Sequence, residues 1–73
     1  MLRRLTALIE RQEDVYLALC PEYDIASQGD SLEEARANLA EALSLFFETA
    51  DASEIDRRSQ SDLFITHIEV PIG

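Results

Sequence analysis

Hydrophobic and polar residues alternate along three short runs, then repeat at helical spacing, then alternate once more. The first run centres on Leu5-Thr6-Ala7-Leu8-Ile9, and the strand built on it is predicted over about 2–11. Gln12-Glu13-Asp14 follows as a polar turn. Val15-Tyr16-Leu17-Ala18-Leu19-Cys20 is a second strand over 15–20, with Val15, Leu17 and Leu19 on one face. Two such runs joined by a few polar residues predict a hairpin. Pro21-Glu22 interrupts the ladder, because proline has no N–H to donate. A short third strand is predicted over 23–28.

The helical stripe is Leu32, Ala35, Leu39, Ala42, Leu43 and Phe46, with Leu45 and Phe47 widening it near its end. Its start is marked by Ser31-Leu32-Glu33-Glu34, in which Ser31 caps the amide of Glu34 and Glu34 reaches back to the Ser31 amide. Gly29-Asp30 supply the turn before it. The helix is predicted over 32–49, about 27 Å long at 1.5 Å per residue. Residues 50–62 are polar and read as a long loop with room for a helical turn. Leu63-Phe64-Ile65-Thr66-His67-Ile68-Glu69-Val70 is a last strand over 63–70, stopped by Pro71.

The order is β-β-β-α-β, an α+β single domain over residues 1–73. Short turns make the first three strands antiparallel neighbours. The helix is a crossover that returns the fourth strand to the sheet on one side. One helix covers one sheet face, yet the strands are apolar on both. Leu17 and Leu19 oppose Tyr16, Ala18 and Cys20, and Phe64, Ile68 and Val70 oppose Leu63 and Ile65. An uncovered apolar face predicts association with a partner or with a second copy, so a homodimer or higher homo-oligomer is expected.

Composition narrows this. Of the 73 residues, 47% are hydrophobic, which supplies material for a core, and a single cysteine excludes an internal disulfide framework. No run approaches the ~18 apolar residues of a membrane span. The N-terminal apolar run stops at Ile9 with no small-residue cleavage site after it, so a cytoplasmic protein with no membrane contact is expected. The net charge of −9 would be repelled by phosphate, which argues against direct nucleic acid binding and suits solubility or a basic partner. All six basic residues are arginine, a bias that fits a GC-rich genome or thermal adaptation equally.

Several segments carry a resemblance. Ala7-Leu8-Ile9-Glu10, Tyr16-Leu17-Ala18-Leu19-Cys20-Pro21-Glu22, Ser27 through Ala35 (SQGDSLEEA) and Asn38-Leu39-Ala40-Glu41-Ala42-Leu43 together resemble the HicB family of bacterial and archaeal antitoxins, in its short stand-alone version. The likeness covers roughly residues 5 to 48. It implies a partial RNase H-like fold, a four-stranded mixed sheet of order 3-2-1-4 with the fourth strand parallel to the first and one helix packed on one face. It also implies an inhibitor that neutralises a small basic RNA-cleaving toxin by masking its active surface. Many members carry a C-terminal DNA-binding module. This sequence stops just after its last strand, so operator binding by this chain is not expected. The alternative is a stand-alone homo-oligomeric domain with no toxin.

RNase H-like nucleases hold two metal ions with carboxylates, and Glu10, Glu33 or Glu41, and Glu69 are the residues that could attempt it. With 15 Asp and Glu in the chain, chance proximity explains them as well, and neither enzyme activity, a metal nor a cofactor is expected. His67 has no nucleophile at motif spacing and reads as a strand histidine. Cys20 reads as a small buried hydrophobe. Asn38 is mid-helix and either bonds a loop, marks an interface or is merely exposed. Acidic residues gather at the strand ends and before the helix. Glu10, Glu13, Asp14, Glu22, Asp24 and Asp30, together with Tyr16, form the candidate partner interface. Turns and helix N-termini favour Asp and Glu in any case.

Overall fold

The computed structural model describes residues 4–59 and 62–73. Three strands, β1 (Leu8–Gln12), β2 (Val15–Cys20) and β3 (Ile25–Gly29), form one antiparallel sheet in the order β1-β2-β3. Gln12 pairs with Val15, which leaves Glu13-Asp14 as a two-residue hairpin loop. Glu13 takes a left-handed φ of 57°, the backbone such tight loops demand to follow the strand twist.

Helix α1 (Leu32–Thr49) starts and stops where the stripe predicts. Ser31 is extended (φ −140°, ψ 165°) and its Oγ accepts from the Glu34 amide at 3.0 Å. Glu34 reaches back one residue further than expected, accepting from the Asp30 amide at 3.0 Å. The helix lies against the sheet through Gly29. A Cβ there would stand 2.6 Å from the Ala35 backbone nitrogen, so only glycine allows so close an approach. Asn38 Nδ2 donates to the Gln28 carbonyl at 2.8 Å and ties α1 to the β3 edge.

The core is thin. Ala18 and Cys20 from β2, Tyr23 from the β2–β3 turn, and Ala35, Leu39 and Leu43 from α1 are buried, with Leu5, Ile9, Tyr16, Ile25, Phe46 and Phe47 packed around them. Tyr23, Phe46 and Phe47 form an aromatic trio with ring centroids 5.0–5.5 Å apart, a separation that favours edge-to-face contact.

The structure departs from the sequence pattern in three places. The sheet has three antiparallel strands among the described residues, and the four-stranded mixed sheet of order 3-2-1-4 does not form. Residues 62–73 adopt no regular structure, and Phe64, Ile68 and Ile72 are 86%, 79% and 97% exposed. The apolar alternation of this segment is a strand pattern, but a strand also needs a hydrogen-bonded neighbour, and none lies beside it. The polar loop predicted over 50–62 contains a second helix, α2 (Ala52–Ser59); residues 60–61 lie outside the described residues. α2 has no apolar stripe and is held by polar contacts. Asp51 Oδ1 accepts from the Glu54 amide at 2.9 Å, and Glu54 pairs with Arg57 and, at 2.9 Å, with Arg58. A helix advances about 1.5 Å per residue against about 3.3 Å for extended chain, so α2 shortens the connection meant to return the fourth strand. Strand pairing in β1 begins at Leu8; residues 4–7 are irregular, and residues 2–3 of the predicted strand lie outside the described residues.

Candidate interaction surfaces

The register sorts the strand side chains onto two faces. Ile9, Tyr16, Ala18, Cys20 and Ile25 face α1. Leu8, Leu19 and Ala26 stand side by side across the opposite face, followed by a second row of Glu10, Leu17 and Gln28, and then by Gln12 and Val15. Among the described residues no helix covers this face. Leu8 and Ala26 are exposed and Val15, Leu17 and Leu19 half-buried. The Gln12 side chain donates to the Glu10 carboxylate, which holds that charge at the patch border. The surface is apolar at its centre and acidic along the hairpin end.

The acidic residues singled out from the sequence separate into two groups. Glu13 and Asp14 occupy the hairpin loop, and Asp30 follows Gly29, which pairs with Tyr16, so all three are exposed at one end of the sheet with Glu10 nearby. Glu22 and Asp24 sit in the turn at the other end of β2, roughly 17 Å away at 3.3 Å per residue. Tyr16 is half-buried on the helix-facing side with Arg11 over its ring at 6.0 Å, so it belongs to neither group.

Glu22 is turned inward. It accepts from the Thr6 amide at 2.9 Å and from the Cys20 thiol at 3.4 Å. Burial raises its pKa, but the hydrogen bonds from Thr6, its own backbone amide and Cys20 outweigh that and hold it below the usual carboxylate value. Burial, reinforced by the bond to Glu22, pushes the Cys20 thiol above its ordinary value. Fully buried and protonated, Cys20 is the packed hydrophobe the sequence suggests. Glu33 and Glu41 on α1 and His67 and Glu69 near the C-terminus are all exposed, and no group of three or more His, Cys, Asp or Glu among the described residues is arranged to hold a metal ion. No described helix is long and apolar enough to cross a membrane.

A second surface was not anticipated. Between residues 5–7 and α1 runs a groove of about 840 Å³, floored by Leu39 and Leu43, walled by Leu5 and Phe47, and open over Ala37 and Ala40. Its signal in the sequence was the small pair Ala37 and Ala40 beside the stripe, which leaves the helix flank low.

α2 is fastened to Tyr23 and Phe46 of the aromatic trio. Arg58 Nη1 donates to the Tyr23 carbonyl at 2.6 Å with its guanidinium 5.1 Å from the Phe46 centroid, and Tyr23 Oη shares a 2.7 Å bond with Ser59 Oγ.

The described residues thus form a small α+β domain with a three-stranded sheet, one face of it open. By sequence it belongs to the UPF0150 family. It is 36% identical over 67 residues to a UPF0150 protein of Helicobacter pylori, covering 90% of this chain and 93% of that protein. It is also 48% identical over 50 residues to a UPF0150 protein of Synechocystis, covering 66% and 69% of the two chains. No protein-family model and no solved structure matches it.

Proposed function

We propose that this chain is a HicB-like inhibitory module that neutralises a small basic RNA-cleaving toxin in the cytoplasm by masking its active surface. The observation that carries this reading is the open sheet face. Leu8, Leu17, Leu19 and Ala26 offer apolar area for a stable contact, and Glu10, Glu13, Asp14 and Asp30 border it with negative charge. A basic partner is drawn to such a border, which speeds encounter and selects against acidic competitors. The net charge of −9 acts in the same direction and opposes direct contact with RNA or DNA. The chain supplies no catalytic group in this reading; it acts by covering.

The test is to isolate the tagged protein from its native source, identify a stoichiometric small basic companion, and measure RNA cleavage by that companion alone and with the chain added. Cleavage that stops at equimolar chain supports the proposal. A companion that does not cleave RNA, or that cleaves equally with the chain present, overturns it. The alternative of a stand-alone oligomer draws on a different surface, described next.

A further inference from the structure

We propose that residues 63–70 form an arm that seats in the α1 groove of a second copy of this chain, joining two copies by reciprocal exchange. Four observations combine. The arm carries Leu63, Phe64, Ile65, Ile68 and Val70, all exposed in its own chain. Water contact over so many large apolar groups is unfavourable by about 25 cal/mol per Å². The groove is mostly apolar, with Thr6, Glu33, Arg36 and Ser44 along it, and no residue of the arm lines it or joins the core in its own chain.

The dimensions agree. From Glu33 to Phe47 the groove follows α1 for about 21 Å, which an extended chain covers in six or seven residues. The eight residues of the run 63–70 span it, at about 23 Å extended, and the run is followed by Pro71, which cannot extend a ladder. The shape of the molecule agrees too. Its radius of gyration is 14.5 Å and its longest axis 49 Å, whereas a compact chain of this length has a radius of gyration of about 11 Å. The excess belongs to a body with a projecting segment.

A second copy is the occupant that the chain's own features select. The arm and groove are alike in apolar character, and at the groove border, which carries Arg36 as well as Glu33, the Arg36 guanidinium is the group that Glu69 of the arm can pair with. Exchange in both directions closes a two-fold dimer and leaves neither arm nor groove unfilled. The eight arm residues and the eleven that line the groove place about twenty residues on each side of the contact, the size of an ordinary stable interface. The open sheet face remains free, so the inference does not depend on the toxin reading.

The test uses sedimentation equilibrium of the full chain at micromolar concentration, with variants of arm and groove. The wild-type protein is expected at twice the 8.2 kDa chain mass. Phe64→Asp in the arm and Ala40→Arg on the exposed groove flank should each weaken the dimer at least tenfold with unchanged far-ultraviolet circular dichroism, because neither side chain is in the core. Mixing the two variants should recover association, since one intact arm then meets one intact groove. A monomeric wild type overturns the proposal, whether hydrogen exchange finds the arm protected in its own groove or not. So does a dimer that survives both substitutions, or a mixture no tighter than either variant alone.

Discussion

Glu22 shows how single residues set the limits of this domain. Its carboxylate joins the Thr6 amide to the Cys20 thiol, and so fastens the chain ahead of β1 to the end of β2. Its pKa is lowered by folding, so the stability it contributes is complete above the unfolded value near 4.5 and is lost as pH falls through the folded value. Urea unfolding should therefore be flat near neutral pH and decline below about pH 4.5, and Glu22→Gln should start lower at neutral pH and decline less. Cys20 has the opposite sense: burial pushes its thiol pKa up, and because the side chain is fully buried, thiol labelling of the native protein should be no faster than the unfolding that exposes it. Gly29 is set by contact with the α1 backbone. Gly29→Ala should cost about 1–3 kcal/mol by overpacking, read as a drop in Tm of roughly 4–8 °C per kcal/mol. Ser31→Ala removes the α1 cap and should cost about 1 kcal/mol in the same assay.

At the scale of elements, what could be read from sequence tracks which interactions are local. α1 was legible to the residue because its cap and its stripe lie within one segment, and the β1–β2 hairpin because two apolar runs flank a tight polar turn. Of α2 only room for a helical turn was legible: the reasons for its two turns are the Asp51 cap, the Glu54 pairs and the Arg58 contact with Tyr23, thirty-five residues away. That long-range contact gives a prediction. Arg58→Ala should release α2, raising hydrogen exchange across residues 52–59 while α1 stays protected. The fourth strand failed for the converse reason. Residues 63–70 have the composition of a strand, but composition cannot supply the edge a strand must pair with. The apolar character of the Leu17–Leu19 face was likewise readable from alternation, whereas the groove arises only when residues 5–7 settle beside α1. Of the acidic residues, sequence proximity suggested one surface; the antiparallel path of β2 sends them to opposite ends.

As a whole, the molecule is a thin core with more apolar surface than it can cover alone. Leu39, 2% exposed, anchors α1 to the sheet, and Leu39→Asp should unfold the domain, because the charge has no partner there. Two apolar surfaces then stand on separate sides. The groove meets an arm of matching length and character, and the open sheet face meets solvent beside an acidic border. We propose a second copy for the first and a basic partner for the second. The most direct measurement is a calorimetric titration of the co-purified basic protein with wild-type chain and with Leu17→Arg, whose side chain lies on the open face away from the core. Tight binding by the wild type, at least a hundredfold weaker binding by the variant, and the same circular dichroism for both are expected. Equal affinity would show that the partner does not use this face and would contradict the account.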